Sequence, residues 1–411
     1  MKAHQAGTPE AQGIPLVRRL QGAFAAMPPR RRRAWHIGIL VFITIASWAL
    51  VAWPLEFADL WRYWDGPLYA TVARTLYRPA AAAENPVLQA YGIEPIDLAP
   101  FLLAYPLATR LLGLIFTYPV SMILLSVICS AISAALFYLL LGELRVTSRP
   151  LWLSLLFLFV PYRWLIYRSV AATEPMFLAF LLGAFYCYQR RQMWGALALA
   201  ALACVTRIQG LLLLPTFLLL ILFDRSQPLP QRLRWAALTA LIVPSLLGAN
   251  VAWHTYTLGT PFAYWVANDR LMGWIPFWQM VRYAQDMTHG IISIEGYLGS
   301  QLYLLLYGVN LIGLARLWKV DSSRGKMLFV YSLLGVGFLS LIAHEDLARY
   351  MIAIAPFTWL VAFAEVWEDR HIAWAMPLVV LLTYLYAWNV IPRGGIDPRL
   401  VPAFLEWLAR P

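Results

Sequence analysis

The chain has 411 residues and a formal net charge of +11, with 61% hydrophobic and only 13% charged residues. A soluble domain usually carries about 25% charged residues, so this composition excludes most soluble enzymes. The apolar residues come in long runs, which indicates an integral membrane protein. The arginines lie between those runs, so membrane topology explains the basic charge and we expect no nucleic-acid partner.

The three cysteines, Cys129, Cys187 and Cys204, all lie inside apolar runs and form no CxxC pair. This spacing predicts neither a disulfide framework nor a zinc site.

The first apolar run follows a basic cluster, Arg30–Arg33, and is about 20 residues long, enough to span a bilayer. No small-residue cleavage site follows it; Trp53-Pro54-Leu55-Glu56 stands there instead. The pattern predicts a signal anchor that is kept as the first helix. Residues 1–34 are then a flexible, basic cytoplasmic arm.

The apolar runs predict an all-α polytopic membrane protein with about eleven spans. They form one transmembrane domain over residues 35–391, followed by an outer-side tail, 392–411. The predicted spans are 35–54, 119–141, 150–168, 173–189, 194–206, 208–223, 235–254, 298–318, 326–343, 351–367 and 372–391.

Two regions leave the topology open. The runs at 194–206 and 208–223 are too short to span comfortably, and a broken or tilted pair is tolerated where it lines a cavity. Segment 98–116 is a possible twelfth span, but it would scatter the basic loops over both faces. Since Lys and Arg favour the cytoplasmic side, we expect 98–116 to be a juxtamembrane or re-entrant helix on the outer side.

This topology leaves two large outer segments, 55–118 and 255–297. Acidic and aromatic residues concentrate there, so we expect the chemistry at the outer face. The second segment, with Trp265, Trp274 and Trp278, fits an interfacial amphipathic helix. It could also cover a site or stack on sugar rings.

The most informative stretch runs from Leu60 to Tyr77 and contains Asp65 among aromatic residues. A carboxylate near the membrane surface is partly desolvated, which raises its basicity. The alternative is an interfacial aromatic belt in which Asp65 caps the helix that begins near Pro67.

The order of these features resembles the GT-C superfamily of multi-pass glycosyltransferases, which use polyprenyl-phosphate sugars, and within it the PIG-V-like mannosyltransferases. Tyr63-Trp64-Asp65 and Tyr69 to Ala73 match the family's R-[WF]-D-x-x-x-Y-x-x-I-A pattern, with Arg62 one position from the family arginine. Ala104-Tyr105-Pro106 keeps the end of a second, Phe/Pro-rich motif.

Three later patches extend the resemblance in chain order. Thr173-Glu174-Pro175 lies at an outer turn where such enzymes often carry an acidic residue. Thr206 to Leu211 resembles a T-R-x-x-G-L turn, and His344 to Tyr350 resembles an H-x-D-x-x-R-Y loop. The resemblance implies transfer of a hexose, mannose in this family, from a polyprenyl-phosphate donor to a lipid or glycan acceptor. The active site would lie on the extracytoplasmic face of the cytoplasmic membrane.

Inverting transfer needs a carboxylate that takes the proton of the acceptor hydroxyl, and cations that bind the donor phosphate. The resemblance implies that Asp65 is this general base. Arg207, His344 and Arg349 would bind the phosphate, and Arg163 and Arg168 would either anchor the membrane interface or add positive potential. Candidate substrate-binding residues are Arg62, Trp64, Tyr69, Glu174, Gln209, Asp346 and Tyr350. The sequence has no DxD-like pair and no P-loop, so we expect no metal and no cofactor.

Each assignment has a structural alternative. Arg207 could have no role in a site, with its side chain reaching the membrane–water interface so that the charge stays hydrated. Glu174 could cap a helix, and Asp346 could pair with Arg349 in a solvated turn. A transporter or flippase for a lipid-linked or anionic solute would also place arginines in a membrane cavity. A non-catalytic subunit of a glycosylation complex is a third possibility, and the oligomeric state stays open.

Overall fold

The structure, a computed structural model, describes residues 27–271, 294–341 and 347–410. In this part of the chain the ordered structure is helical, apart from one isolated β-bridge between Tyr63 and Gly395. Four helical stretches are long and apolar enough to cross a membrane: Pro29–Ala52, Tyr118–Leu144, Leu229–Leu258 and Arg370–Arg393. The protein is thus an all-α integral membrane protein, as its composition predicts. The total of eleven spans stays a prediction.

The α-helices are numbered here in chain order. They are α1 Pro29–Ala52, α2 Phe57–Trp61, α3 Gly66–Thr75, α4 Pro79–Ala83, α5 Pro86–Tyr91, α6 Ala104–Leu112, α7 Tyr118–Leu144, α8 Pro150–Phe157, α9 Tyr162–Tyr167, α10 Glu174–Gln189, α11 Met193–Thr206, α12 Leu213–Phe223, α13 Leu229–Ile242, α14 Ser245–Leu258, α15 Ala263–Leu271, α16 Ile294–Val320, α17 Met327–Leu339, α18 Leu347–Tyr350, α19 Ala364–Glu368, α20 Arg370–Val390 and α21 Val401–Ala409.

Helix α1 begins at Pro29, six residues before the predicted boundary of the basic arm. Proline is well placed at the start of a helix because its missing N–H would have no partner there. The cluster Arg30–Arg33 is therefore part of the helix and is exposed on it. The rest of the predicted arm, residues 1–26, lies outside the described residues.

Two predicted spans are not regular helices. The span predicted at 150–168 is divided into α8 and α9, because Pro161 disfavours helical backbone in the residues before it. The span predicted at 351–367 consists of a 3-10 turn, a π-helical turn that begins at Pro356, and the short α19. Proline interrupts the hydrogen-bond ladder there as well, so the prediction of continuous helices was wrong at both places.

The short pair at 194–206 and 208–223 is a broken helix, one of the arrangements expected from its length. α11 ends at Thr206, Arg207 is extended, and a 3-10 turn, Ile208–Leu212, leads into α12. Gly210 makes this turn possible. A Cβ atom at Gly210 would lie only 2.3 Å from the carbonyl carbon of Ala203, so only glycine fits. The break places Arg207 between two helix ends.

Segment 55–118, the first of the two segments predicted to lie outside, contains the short helices α2–α6. α6 has 9 residues, about 14 Å of helix, which is less than half the thickness of a bilayer core. It does not span by itself, in agreement with the predicted juxtamembrane helix at 98–116. Its Tyr105 hydroxyl donates to the carbonyl of Met122 in α7 at 3.0 Å, which fixes the segment on the bundle.

The C-terminal tail packs against the same outer segment. Phe404 of α21 stacks on Trp61 with ring centroids 5.9 Å apart. The guanidinium of Arg74 lies 4.2 Å from the ring centroid of the buried Trp407. The first loop and the last helix of the described chain therefore form one packed unit beside the helix bundle.

Candidate functional site

An ion-paired cluster lies where α3, α10 and α18 begin or end. The Nη1 atom of Arg349 is 2.7 Å from Oδ2 of Asp65, and its Nε donates to Oε1 of Glu174. One guanidinium therefore connects two carboxylates that come from distant parts of the sequence.

A second arginine reaches the same carboxylate. Nη1 of Arg207 donates to Oε1 of Glu174 at 2.7 Å and to Oγ1 of Thr173 at 2.9 Å. Its Nε donates to Oε1 of Gln209 at 3.2 Å, and Gln209 in turn donates to the carbonyl of Tyr350 at 3.0 Å. The broken helix at Arg207 and the segment around Arg349 are thereby joined.

Aromatic rings close the cluster. The Arg349 guanidinium lies 4.5 Å from the ring centroid of Tyr167, and that of Arg207 lies 5.7 Å from the ring of Tyr350. Such cation–π contacts stabilise a charge that has lost water. The Tyr69 hydroxyl lies 3.2 Å from Oγ1 of Thr173, so α3 and α10 meet at this point.

Local backbone geometry presents Asp65 to the cluster. Asp65 precedes Gly66 and Pro67 at the start of α3, but its side chain makes no capping hydrogen bond and turns to Arg349 instead. Capping therefore does not explain Asp65. Trp64, one residue earlier, has a φ of 42°, a conformation that is costly for a bulky residue. Its N–H donates to the carbonyl of Gly394 at 2.7 Å, which holds the turn.

The two carboxylates differ in accessibility. The side chain of Asp65 is 26% exposed, whereas that of Glu174 is 2% exposed. Only Asp65 can therefore meet a substrate directly, while Glu174 holds the two arginines. Helix capping does not explain the position of Glu174, and extension to the membrane interface does not explain that of Arg207. Both side chains are largely buried and pair with each other.

Burial and charge act in opposite directions on Arg349. Burial lowers the pKa of its guanidinium, but the carboxylates of Asp65 and Glu174 together hold that pKa well above its usual value. Burial also raises the pKa of Tyr69, and the negative charge of Asp65 adds to the effect. Arg349 stays cationic and Tyr69 stays a neutral hydroxyl at any physiological pH.

Arg62 and Trp64 lie beside the cluster with separate contacts. Arg62 pairs with Asp59 at 2.5 Å and donates to the carbonyls of Ile396 at 2.7 Å and Pro392 at 3.0 Å. It thereby connects the Asp65 loop to the C-terminal tail. The Trp64 ring is 49% exposed, so a large aromatic face is available next to Asp65.

The structure does not bring Arg163 and Arg168 into the cluster. Arg168 is fully buried, and it donates to the carbonyl of Leu158 at 2.9 Å and to Ser47 Oγ at 2.8 Å. It thus supports the break between α8 and α9 rather than facing a phosphate. Arg163 lies over the ring of Tyr386. The two remaining candidates, His344 and Asp346, lie outside the described residues.

Sequence reasoning missed four contributors. Thr173 bonds to both Arg207 and Tyr69, and its place directly before Glu174 was the available signal. Tyr167 under Arg349 gave no signal, because it is one of many aromatic residues in apolar runs. The glycines of the tail, Gly394 and Gly395, were also missed. Among the described residues no group of three His, Cys, Asp or Glu side chains could hold a metal ion.

The fold is similar to that of a solved structure, ArnT from Cupriavidus metallidurans bound to undecaprenyl phosphate. The TM-score is 0.52 over 85% of this chain, at 13% sequence identity. The chain spans 63% of the length of ArnT. No protein-family model and no curated protein matches the chain. The comparison shows the GT-C fold that the sequence motifs predicted.

Proposed function

We propose that the protein is a membrane glycosyltransferase. It transfers a hexose, which we propose is mannose, from a polyprenyl-phosphate donor to a hydroxyl of a lipid or glycan acceptor. Transfer takes place on the extracytoplasmic face, inverts the anomeric centre and needs no metal ion. The mannose assignment rests on the resemblance to PIG-V-like enzymes alone.

One observation carries the proposal. Arg349 ion-pairs with an accessible carboxylate, Asp65, and with a buried one, Glu174, which also binds Arg207. A base and two cations therefore meet at one end of a helix bundle with a GT-C fold. The similar fold of ArnT, solved with undecaprenyl phosphate bound, supports a lipid-linked donor.

Asp65 acts as the general base in this proposal. Its Oδ2 contacts Arg349, while Oδ1 has no partner among the described residues and is available for an acceptor hydroxyl. The acceptor oxygen attacks the anomeric carbon as its proton moves to Asp65. The bond between that carbon and the phosphate oxygen breaks, and the lipid phosphate leaves with the bonding electrons. A phosphate leaves readily as an anion, so no general acid is needed.

Arg207 and Arg349 bind the donor phosphate. The Nη2 atom of each makes no hydrogen bond with the described residues, so each can donate to a phosphate oxygen while keeping its pairing with Glu174. Guanidinium groups suit this task because they remain charged and their planar donors match phosphate geometry. Since Glu174 fixes both groups, the site is organised before the donor arrives.

The neighbouring candidates complete the site. The exposed ring of Trp64 offers a surface on which a sugar ring can stack. Gln209 and Tyr69 hold the donor-binding residues through Tyr350 and Thr173. We keep His344 and Asp346 as proposed contacts of the donor phosphate and the substrate.

The test is transfer of radiolabelled mannose from polyprenyl-phosphate mannose to a membrane-lipid extract by purified protein. Asp65→Asn should lower the rate by about 10²- to 10⁴-fold, the usual contribution of a general base. Glu84→Gln, which neutralises an exposed carboxylate in the same outer segment, is the matched control. It should keep the wild-type rate, and EDTA should have no effect.

Two outcomes would contradict the proposal. Equal rates for wild type and Asp65→Asn would remove Asp65 as the base. Movement of the intact donor across a vesicle membrane, without transfer of any sugar offered, would favour a flippase.

A further inference from the structure

A second polar site lies at the other end of the bundle. A cavity of about 430 Å³ opens between the C-terminal ends of α10 and α12 and the start of α17. Its lining includes the side chains of Arg191, Arg225 and Arg324. Three arginines around one cavity make a strongly basic surface.

This cavity is separate from the proposed active site. α10 begins with Glu174 in the active-site cluster and ends just before Arg191 in the cavity. It has 16 residues, so its ends are about 24 Å apart at 1.5 Å per residue. α12 shows the same arrangement. Its first residue lies one 3-10 turn after Arg207 of the active-site cluster, and its last residue, Phe223, lines the cavity.

Of the three arginines, Arg324 alone has an acidic partner among the residues that the structure describes. Arg324 pairs with Asp224 at 2.8 Å and lies 5.2 Å from the ring centroid of Tyr188, so it is fixed in place. Arg191 and Arg225 are exposed, and their side chains make no hydrogen bond or ion pair with the described residues. The cavity therefore offers two uncommitted guanidiniums beside a third that is held by a single acid.

The wall next to these charges is apolar. Leu219 and Phe223 line the cavity and are 40% and 73% exposed. They belong to the apolar α12, where they are exposed while Phe217 and Leu220 of the same helix are buried in the protein. A ligand in the cavity thus meets cations at one end and an apolar surface at the other, which is the pattern of an amphiphilic anion.

We propose that this cavity binds the phosphate headgroup of an anionic phospholipid from the leaflet opposite the active site. Basic pockets between transmembrane helices on the cytoplasmic side are suited to such headgroups. The positive-inside rule assigns this end of the bundle, with Arg190, Arg191 and Arg225, to the cytoplasmic leaflet. A free phosphate would satisfy the arginines but would leave Leu219 and Phe223 without a partner, so the lipid is favoured.

The experiment is native mass spectrometry of purified protein titrated with phosphatidylglycerol or phosphatidylcholine. Wild type should bind one phosphatidylglycerol more tightly than phosphatidylcholine. The double variant Arg191→Gln/Arg225→Gln should weaken that binding roughly 30-fold, given the usual contribution of each basic residue near an anionic lipid surface. Arg225→Glu alone should weaken it as well and keep the fold intact, because Arg225 is exposed and its side chain makes no hydrogen bond or ion pair with the described residues.

A matched control removes the same charge outside the cavity. Arg145→Gln/Arg234→Gln changes two exposed arginines that do not line it. Arg145 resembles Arg191 in having positive φ after a helix, 55° against 61°. The control variant should bind phosphatidylglycerol as wild type does. In a separate measurement, millimolar inorganic phosphate should not displace phosphatidylglycerol from the wild-type protein.

Three outcomes would overturn the proposal. Equal losses in the two double variants would show diffuse attraction rather than a site. No preference for phosphatidylglycerol would remove the anionic headgroup. Displacement by inorganic phosphate would assign the cavity to a soluble phosphate. The readout is binding, so none of these results depends on glycosyl transfer.

Discussion

Glu174 and Arg349 form a buried ion pair, with side chains only 2% and 10% exposed, although they lie in distant parts of the sequence. Oε1 of the same carboxylate also accepts from Arg207, while Oε2 makes no hydrogen bond with the described residues. Burying two charges away from water is costly. Removing one partner is more destabilising than replacing both by apolar residues, because it leaves an uncompensated buried charge. The pairing thus fixes both arginines in one place.

Replacing Glu174 should destabilise the protein strongly. Glu174→Gln leaves the buried Arg207 without a carboxylate partner among the described residues, and Arg349 with Asp65 alone. The expected loss is about 3 kcal/mol of unfolding free energy. Glu143→Gln, which breaks the more exposed pair with Arg190, should leave the stability close to that of wild type, because water screens an exposed ion pair. Denaturant unfolding in detergent compares the two, and equal stabilities would show that the buried pair contributes little.

Arg349→Lys should keep the charge and lose most of the activity. A lysine has one ammonium group, which cannot contact Asp65 and Glu174 in the geometry of a planar fork. We expect kcat/KM for sugar transfer to fall by about 10²-fold or more, the loss typical of one misplaced electrostatic contact.

Arg399→Lys is the matched control for that change, because Arg399 is exposed and pairs only with Asp397. It should transfer sugar at the wild-type rate. Full activity in Arg349→Lys would instead mean that any cation suffices at this position.

Gly395→Ala should displace the loop that carries Asp65. A Cβ atom at Gly395 would lie 2.8 Å from Nη1 and 2.9 Å from Cγ of Arg62, so the side chain or the tail must move. Overpacking of this kind usually costs about 1–3 kcal/mol, and we expect kcat to fall together with stability. Gly337→Ala, where a Cβ atom would meet nothing within 4 Å, should be neutral or slightly stabilising. An unchanged kcat in Gly395→Ala would show that the position of the tail does not affect the transfer reaction.

Tyr69 should contribute to the loss of stability in alkali. Burial, reinforced by the charge of Asp65, raises the pKa of Tyr69 in the folded protein. The contribution of Tyr69 to the free energy of unfolding is therefore complete below a pH of about 10, the pKa of a tyrosine in the unfolded chain. Above that pH the unfolded chain releases a proton that the folded chain retains, and stability falls by about 1.4 kcal/mol per pH unit for this group.

The measurement for Tyr69 is the unfolding free energy between pH 10 and 11. Wild type should fall more steeply than Tyr69→Phe, which lacks the ionising group. Tyr256→Phe, which changes a tyrosine that is 81% exposed, should keep the wild-type slope. Parallel curves for wild type and Tyr69→Phe would show that Tyr69 titrates alike in both states.

The sequence was sufficient for the parts of the fold that depend on local pattern. Runs of apolar residues located α7 and α20 to within three residues and α1 to within six, and the positive-inside rule placed 98–116 outside the spans. Motif order also selected Asp65, Glu174, Arg207 and Arg349, which the structure brings together. Their catalytic roles stay predictions.

What sequence reasoning missed depends on contacts between distant residues. The breaks near Pro161 and Pro356 fall within apolar runs. A hydropathy profile measures only how apolar the residues are, so it does not show where a backbone hydrogen bond is missing. Arg168 was expected to anchor the interface or to add positive potential near the phosphate, because it ends a predicted span on the outer side. Its Nε and Nη2 atoms instead donate to the carbonyl of Leu158 and to Ser47 Oγ. Nothing local to Arg62 indicates that its acceptors are the carbonyls of Pro392 and Ile396.

The link between Arg62 and the tail has a consequence for biosynthesis. The ribosome makes the Asp65 loop soon after the first helix, but the carbonyls that hold Arg62 and Trp64 belong to residues 392–396. Until those residues emerge, the loop lacks its anchor, and Arg349 is also still missing for most of synthesis. A chain translated only as far as the Asp65 loop therefore has an incomplete site, and the proposed activity has to wait until both Arg349 and residues 392–396 are in place.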